Sequence, residues 1–457
     1  MSLSSLLLPP PPALERVPAA EIPGKFEYWR GRLLWSSYLG YAVYYMLRKN
    51  IPIVVTSMTD DLGISITAFG IFFTLHDLTY GGAKFLSGLM ADRCNPRVLV
   101  PLGLLMAALA NVVFGLSSSV AVLGVAWVVN GFFQGFGFPP TARILSYWFK
   151  SSERGVKWAI FNTSHQVGTF AILVLGGYLA SHYGWRSCFL LPAVLGIATT
   201  FFLYNRLRDT PDSLGLPPIE TYDPNSRQLI SPHVNPDPVD EKLPRGGPVH
   251  EEEDVASLTR RKVFRNPAIW LACAGNFFVY TVRYGVLNWA PTFLHKVKHT
   301  ELTSAGFMTG CFELAGLVGC LTAGYVSDRV FQGRRAPACV FSMLACAVFV
   351  FLFWHCPEGD PGLATFYIAG IGFTVYGPQF LGGVMAADLA TKRAAGAAVG
   401  LHGLFGYLSG LLSGYGLSTV VEHYGWDGAY AGLTMFAALG ALPFLPIWNT
   451  GPAEEGS

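Results

Sequence analysis

Apolar residues occur in twelve long runs along the chain, and short polar or charged stretches separate each run from the next. A helix rises about 1.5 Å per residue, so about 20 residues cross the roughly 30 Å hydrocarbon core of a bilayer. The runs have about this length, which predicts an all-α membrane protein with twelve transmembrane helices. The predicted spans are 33–55, 64–89, 98–116, 120–148, 158–181, 187–204, 268–290, 303–326, 337–355, 362–385, 395–420 and 428–448.

The longest polar stretch, residues 205–266, lies between the sixth and seventh runs. It is rich in proline and charge and has no sustained apolar period, which is typical of a solvated linker. The spans therefore divide six and six. We expect a tail at 1–32, a six-helix bundle at 33–204, the linker at 205–266, a second six-helix bundle at 267–448 and a tail at 449–457.

The composition agrees with a membrane protein. Of 457 residues, 52% are apolar and only 13% are charged, against about 25% charged in a soluble domain. A chain so poor in charge needs lipid around most of its surface, which excludes a soluble enzyme. The net charge of +2 suggests no nucleic-acid partner. The eight cysteines form no CxxC motif, so we expect no disulfide framework, metal site or cofactor.

The lysines and arginines set the expected orientation. Most of the 31 lie in the N-terminal tail, the linker and the even-numbered loops, whereas the odd-numbered loops hold only Arg186, Lys296 and Lys298. Because the cytoplasmic side of a membrane retains basic residues, we expect both termini and the linker to be cytoplasmic.

Two motifs occur once in each half at nearly the same offset. Gly88-Leu-Met-Ala-Asp92-Arg93 is echoed by Gly324-Tyr-Val-Ser-Asp328-Arg329, and His182-Tyr-Gly-Trp-Arg186 is echoed by His423-Tyr-Gly-Trp-Asp427. A repeat of six spans keeps its orientation in the membrane. The sequence thus predicts two parallel bundles, with a binding site between them near mid-depth.

Two arginines lie inside predicted spans, where an ionisable group costs about 2.5 kcal/mol or more unless it faces a polar cavity. Arg48 and Arg283 lie at matching depths of the first and seventh runs. Two guanidiniums aimed at one cavity repel each other while it is empty, and they offer forked donors that suit phosphate oxygens. This predicts an anion site. The alternative is that each arginine pairs with its own acid or reaches an interface.

Other polar residues of the spans are candidates for the same site. Lys49 points about 100° round the helix from Arg48, and it contributes or faces elsewhere. Lys84 lies two turns after Asp77, so it belongs either to a structural ion pair or to the site. His165 lies in a polar island of the fifth span, where it is either a packing residue or a group that gains charge when phosphate binds.

A further set of charges is expected to balance the site or to gate it. Glu313 in the eighth span, and Asp388 with Lys392 in the eleventh, are candidate counter-ions. The duplicated turns are expected to form charge latches that close one side of the bundle. The latch residues are Asp92, Arg93, Asp328 and Arg329, with Arg334 and Arg335.

Longer motifs surround these charges. They are Tyr28-Trp-Arg, Gly40-Tyr-Ala-Val-Tyr-Tyr-Met-Leu-Arg48-Lys49, Tyr80-Gly-Gly-Ala-Lys84-Phe-Leu-Ser-Gly88, Asn130-Gly-Phe-Phe-Gln-Gly135, Arg154-Gly, Arg208-Asp-Thr-Pro, Phe312-Glu313-Leu and Ala394-Ala-Gly396-Ala. With the doubled turns and the two buried arginines, the chain resembles the major facilitator superfamily. Within it, the chain is most similar to the bacterial hexose-phosphate group of the organophosphate:phosphate antiporter family, from about residue 28 to residue 445.

The resemblance implies residue roles. Arg48 and Arg283 match the family's phosphoryl-binding arginines, and His165 matches a fifth-helix histidine of its glycerol-phosphate branch. His76-Asp77 departs from the pattern, because relatives carry apolar or aromatic residues where this chain has an acid.

A sugar attached to the phosphoryl group would meet aromatic faces and short polar groups. Tyr45 and Tyr280 each precede a site arginine by three residues, so each shares that arginine's helix face. Asp77 either accepts from ring hydroxyls or neutralises Lys84. The other candidates on the cavity helices are Asn162, Asn288 and Tyr376.

The function that these expectations favour is antiport of a sugar phosphate, glucose 6-phosphate above all, against inorganic phosphate. The alternatives are a receptor for external glucose 6-phosphate that signals to a histidine kinase, and a glycerol-3-phosphate antiporter. A phosphate-hydrolysing enzyme is disfavoured, because no phosphatase motif or metal cluster accompanies the arginines. We expect a monomer in the bacterial inner membrane whose only other partner is membrane lipid.

Overall fold

The computed structural model describes residues 8–91, 93–223, 228–229, 260–390 and 395–450. In these ranges the chain forms the predicted all-α architecture, with twelve helical spans in two bundles of six. The spans of the first half are Ile22–Met46 with Ile51–Leu62, Ile66–Ala91, Pro96–Leu116, Val120–Gln134 with Phe138–Trp148, Ser151–Tyr183 and Ser187–Arg206. Those of the second half are Pro267–Lys296, Leu302–Arg329, Arg335–Trp354, Pro361–Asp388, then Ala395–Leu408 with a π-helical turn Leu411–Gly416, and finally Leu417–Leu439, whose kink at Gly425 ends the eleventh span and begins the twelfth.

Short elements complete the described structure. They are 3₁₀ turns at Ala19–Glu21, Asp212–Leu214, Ile219–Thr221 and Leu442–Phe444, a π-helical turn at Arg260–Phe264, and an antiparallel pairing of Tyr222–Asp223 with Gln228–Leu229. Because each half has six spans, the described chain ends and the connector between the halves lie on one face of the bundle, which we call the connector face. We call the opposite face the far face.

The polar residues are concentrated in a few spans. By length and mean hydropathy alone, six helical segments of the described chain are apolar enough to cross a membrane. The first, second, fifth, seventh and tenth spans fall short of that criterion, and they carry Arg48, Asp77, His165, Arg283 and Tyr376 respectively. The least apolar spans therefore contain most of the predicted site.

The first span is broken at Leu47–Asn50, where a continuous helix was expected. Pro52 has no N–H to donate to the carbonyl of Arg48, four residues earlier, and its ring would clash with that carbonyl. The helix ends at Met46 and a new one begins at Ile51. Arg48 and Lys49 therefore lie in the interruption, as polar residues of discontinuous transporter helices do.

Amide side chains of the third and fourth spans satisfy the carbonyls that the break leaves unbonded. Asn111 and Asn130 donate to the carbonyl of Leu47 over 3.0 and 3.2 Å. Gln134 donates to the carbonyl of Tyr44 over 2.9 Å. All three amides are buried. Backbone groups inside a bilayer must be bonded within the protein, so these amides make the break tolerable.

The internal repeat is visible in backbone conformation. Gly184 and Gly425, which hold the same place in the duplicated His-Tyr-Gly-Trp motif, have φ angles of 78° and 69°. These left-handed values favour glycine and turn the chain between consecutive spans. The two motifs are thus equivalent turns on the far face.

The halves meet closely toward the far face. A Cβ on Gly306 of the eighth span would lie 2.2 Å from the carbonyl oxygen of Leu173 in the fifth. In the second span, the Thr74 hydroxyl donates to the carbonyl of Gly410 and accepts from the N–H of Tyr415, both in the eleventh. Small residues allow this approach of helix backbones.

Two expected boundaries are wrong. The first helix begins at Ile22 rather than at residue 33, because Lys25 and Arg30 lower its apolar character without interrupting the helix. The first part of the linker is packed rather than solvated. Tyr222 stacks on Phe26 with ring centroids 4.7 Å apart, and residues 230–259 lie outside the described residues.

Close packing between the eighth and tenth spans predicts an unequal pair of glycine substitutions. A Cβ on Gly372 would lie 2.0 Å from the carbonyl oxygen of Phe312, whereas one on Gly383 of the same span meets nothing within 4 Å. Gly372→Ala should destabilise the protein by about 1–3 kcal/mol, and Gly383→Ala should leave stability unchanged or slightly higher. Thermal unfolding of the purified variants measures this, and equal midpoints would contradict the packing.

Candidate functional site

Arg48 lies in a buried cluster with the second span. Its Nη2 is 3.2 Å from Asp77 Oδ1, and its guanidinium carbon lies 3.9 Å from the ring centroid of Tyr80. Tyr45 is on the same side, with its ring centroid 5.5 Å from that carbon. Only 3% of Arg48 is exposed. The arginine is therefore held by one carboxylate and two aromatic faces.

Arg283 has an equivalent set of partners in the second half. Its Nη2 donates to the Tyr376 hydroxyl over 2.7 Å, and that hydroxyl donates to Glu313 Oε2. Glu313 Oε1 lies 3.8 Å from the same Nη2. The Tyr284 ring centroid is 5.2 Å from the guanidinium carbon. The seventh, eighth and tenth spans thus meet at this arginine.

Two hydrogen bonds join the halves at the same depth. Lys49 Nζ donates to Asn288 Oδ1 over 3.3 Å and lies 4.7 Å from the ring centroid of Tyr284. Gln166 of the fifth span donates to the backbone carbonyl of Glu313 over 3.3 Å. The predicted site residues of the two halves therefore form one cluster.

His165 lies between the aromatic residues of the two halves. Its ring centroid is 5.3 Å from that of Tyr45 and 6.5 Å from that of Tyr376. Its Nδ1 contacts the backbone carbonyl of Asn162, whose side chain is exposed. Tyr280 is half-buried, with its ring centroid 5.7 Å from the Arg283 guanidinium carbon. Asn162 therefore reaches the cluster only through its backbone.

Layers of side chains cover the cluster on both sides. Toward the connector face, Lys84 Nζ donates to the Tyr407 hydroxyl over 2.9 Å, and the Tyr80 and Tyr407 rings meet edge to face at 5.2 Å. Toward the far face, the Phe73 and Trp289 rings meet at 5.4 Å. Both layers join the second span to the second half of the chain.

The contacts bear on two alternatives that the sequence left open. Asp77 does not neutralise Lys84, because its carboxylate faces Arg48 and His76 instead. Each arginine is paired with an acid, as the alternative to an unpaired anion site stated, and that acid is a carboxylate of a neighbouring span. Helical spacing within one span did not show these pairs, because the partners come from different spans.

The predicted latch charges behave differently from the expectation. Asp328 bonds to Arg335, and Asp388 Oδ2 lies 3.5 Å from the same arginine. These contacts join the eighth, ninth and tenth spans and do not connect the two halves. Asp388 ends the tenth span rather than lying in the eleventh. Arg93 and Arg329 are exposed, and Asp92 and Lys392 lie outside the described residues.

Several members of the cluster were not predicted as site residues. Tyr80 could have been found, because it follows Asp77 by three residues and precedes Lys84 by four, and so shares their helix face. Tyr284 and Tyr407 carry no such signal in the sequence. They reach the cluster through the packing of the seventh and eleventh spans.

Both arginines keep an unused donor. Among the described residues, Arg48 Nε and Arg283 Nε are buried and have no hydrogen-bond partner. Buried donors of this kind are costly, and they indicate that the cluster can bind further acceptor oxygens.

A cavity of about 1480 Å³ lies away from this cluster, at the connector face. Its lining includes Arg143, Trp158 and Pro218.

Comparison with known proteins agrees with the fold. The family model described as Major Facilitator Superfamily matches residues 37–414. The chain therefore belongs to the major facilitator superfamily, a family of transporters rather than enzymes.

Its relatives are consistent with the organophosphate:phosphate antiporter family. A "Probable hexose phosphate transport protein" of Chlamydia pneumoniae is 36% identical over 98% of both chains. A "Glycerol-3-phosphate transporter" of Bacillus subtilis is 35% identical over 98% of both chains. The "Membrane sensor protein UhpC" of Escherichia coli is 34% identical over 95% of this chain and 96% of its own.

Solved structures show the same fold. A bacterial homologue of the human lysosomal transporter Spinster, in an inward-facing and unoccupied conformation, has a TM-score of 0.69 at 16% identity and covers 92% of this chain and 95% of its own. The nucleoside transporter NupG (D323A mutant) has a TM-score of 0.65 at 14% identity and covers 92% of this chain and 100% of its own. Together with the bacterial relatives, this fold indicates a multi-pass protein of the inner membrane.

The hydroxyl that bridges Arg283 and Glu313 predicts a stability effect. Tyr376→Phe removes an acceptor from a buried guanidinium and a donor from a buried carboxylate, which should cost about 1–3 kcal/mol. The midpoint of thermal unfolding should fall by several degrees. Tyr325→Phe, on an exposed tyrosine of the eighth span, loses the same atom and should leave the midpoint unchanged. Equal midpoints for both variants would contradict the bridging role.

Proposed function

We propose that this protein exchanges a sugar phosphate, glucose 6-phosphate above all, for inorganic phosphate across the inner membrane. The observation that carries the proposal is the pair of buried arginines. They come from equivalent spans of the two halves, and each keeps an unpartnered Nε. A phosphoryl group with three oxygens can accept from both guanidiniums at once.

The charge balance of the cluster supports a dianionic ligand. The described residues of the cluster and of the layer that covers it toward the connector face include four basic side chains, Arg48, Lys49, Lys84 and Arg283, and two carboxylates, Asp77 and Glu313. With the lysines charged and the histidines neutral, two positive charges remain. A phosphate monoester carries nearly two negative charges at neutral pH, so it would balance this excess.

Exchange follows from the same balance. In the unloaded protein, the carboxylates hold the arginines but leave the excess charge, so rearranging the cluster exposes uncompensated cations to the apolar core. Either phosphate species lowers this excess and lets the halves rock about the site. Reorientation is therefore favoured only with a ligand bound, and this makes transport an exchange.

The names of the relatives favour a phosphate ester but differ in substrate and role. Hexose phosphate, glycerol 3-phosphate and a sensor role are each named for a relative that covers nearly the whole chain. A sensor for glucose 6-phosphate, acting on a membrane kinase, is the second candidate function. It predicts binding by the same cluster with little transport.

Counterflow separates these functions. Liposomes that contain the protein and internal phosphate should take up labelled glucose 6-phosphate rapidly, and uptake should need the internal phosphate. Arg48→Lys and Arg283→Lys keep the charge and lose the planar fork, so each should remove most of the exchange. Arg265→Lys, on an exposed arginine beside the connector, is the matched control and should retain the wild-type rate.

Each other outcome has a distinct meaning. Binding without counterflow would favour the sensor. Uptake of glycerol 3-phosphate in preference to glucose 6-phosphate would change the substrate and keep the exchange. Wild-type rates in both site variants would show that the arginines do not bind the phosphoryl group.

We also propose that the connector face is cytoplasmic, which the distribution of basic residues supports. Glu220 is exposed in the connector, and Ser119 is exposed on the far face between the third and fourth spans. In intact cells, an impermeant thiol reagent should label Ser119→Cys above the wild-type background and spare Glu220→Cys. Inverted vesicles should give the opposite pattern, and labelling of Glu220→Cys in intact cells would reverse the orientation.

A further inference from the structure

A closed circuit of polar contacts lies behind Arg48. Asp77 Oδ1, which is 3.2 Å from Arg48, is also 3.4 Å from His76 Nδ1. His76 Nε2 lies 3.3 Å from Asn130 Oδ1, and Asn130 donates to the carbonyl of Leu47. The circuit thus returns to the residue that precedes Arg48, at the break of the first span.

The contacts of Asn130 fix the donor at His76 Nε2. The Asn130 amide nitrogen donates to two backbone carbonyls, those of Leu47 and Ala107, both over 3.2 Å. Carbonyls only accept, so the amide oxygen must be the atom that faces His76. An oxygen cannot donate, and Nε2 therefore carries a hydrogen.

This leaves Nδ1 facing a carboxylate oxygen. Without a hydrogen on Nδ1, two lone pairs oppose each other across 3.4 Å. With one, His76 is an imidazolium that donates to Asp77. The contact between Nδ1 and Oδ1 is attractive only when a proton lies between them. The two side chains are buried, with 3% of each residue exposed.

Charged side chains surround the position of that proton. The charged groups that act on His76 are Asp77 on its own span and Arg48 and Lys49 on the first. The fourth span contributes the neutral Asn130 and the Trp127 ring, 5.0 Å away, and the eleventh packs Gly410 against Asp77. The two cations oppose a third positive charge on His76.

A bound phosphoryl dianion would reverse this effect. It would neutralise Arg48 and Lys49, and by drawing Arg48 away it would leave Asp77 with His76 as its remaining partner. A buried carboxylate without a cation is strongly disfavoured, so the proton on Nδ1 becomes favourable.

We infer that His76 and Asp77 form a proton-binding pair linked to Arg48, so that binding of a phosphoryl dianion brings one proton from the solvent onto His76 Nδ1. The direction of this linkage rests on the proposed phosphate-ester ligand. Each phosphoryl dianion that the site carries would then cross with one proton, so the proton that enters with the ester is matched by the proton that leaves with inorganic phosphate.

Calorimetry of ligand binding tests the linkage. Glucose 6-phosphate is titrated into the purified protein at pH 7.5, where the ester is a dianion because its second pKa is about 6. Buffers of different ionisation enthalpy reveal the protons taken up per ligand. We expect up to one proton for the wild type, and an association constant that falls by up to tenfold per unit rise in pH.

The variants separate the pair from other groups. His76→Gln retains a donor toward Asn130 and cannot hold the proton, so uptake should disappear while binding persists. His402→Gln, at another buried histidine outside the cluster, is the matched control and should keep the wild-type uptake. Equal uptake in His76→Gln and the wild type, or none in the wild type, would overturn the inference.

The test also distinguishes this inference from the proposed function. The absence of binding heat for any phosphate ester would contradict the proposed function. The His76–Asp77 pair is then tested in the ligand-free protein by the nitrogen-15 chemical shifts of the His76 ring. Protonation of both ring nitrogens as the pH is lowered from 8 to 5, altered in Asp77→Asn, is expected. A singly protonated ring throughout that range would overturn the pair, including where His76→Gln does not fold.

Discussion

The missing N–H of Pro52 is the constraint on which the centre of this protein depends. It interrupts the first span, and the interruption places Arg48 and Lys49 where backbone and side chains face the middle of the bundle. The interruption leaves the carbonyls of Tyr44 and Leu47 to bond with side chains. Three buried amides from two other spans donate to these carbonyls and so tie the segment that carries Arg48 to the core of the first half.

Charge in the apolar interior imposes the second constraint. Each cation at mid-depth has a carboxylate, an amide oxygen or an aromatic face beside it, since an isolated charge there would be severely destabilising. The oxygens among these partners are acceptors like those that a phosphate ester presents. Under the proposed function, a ligand would enter by exchange of contacts, in which Asp77 and Glu313 give up part of their hold on Arg48 and Arg283.

The sequence was sufficient for the architecture and for part of the site. Span length, the duplicated turns and the matching depths of Arg48 and Arg283 are periodic features, and each is visible within one stretch of chain. The partners of Asp77 were not predictable in this way, because the neighbour of a helix face depends on which spans pack together. Pro52 was visible in the sequence as a helix breaker. No nearby residue pattern indicated that Asn111 of the third span would donate to the carbonyl of Leu47 at the break.

The break also limits what the internal duplication means. The position that corresponds to Pro52 in the second half is Leu287, whose N–H continues an unbroken seventh helix. The first and seventh spans therefore carry equivalent arginines on different backbone structures, one broken and one continuous. One span cannot replace the other. A chimaera with the seventh span in place of the first would offer no free carbonyl to Asn111 and Asn130, and each buried amide would keep only its second backbone acceptor, the carbonyl of Ala107. Divergence after duplication has in this way made each half specific to its own position in the chain.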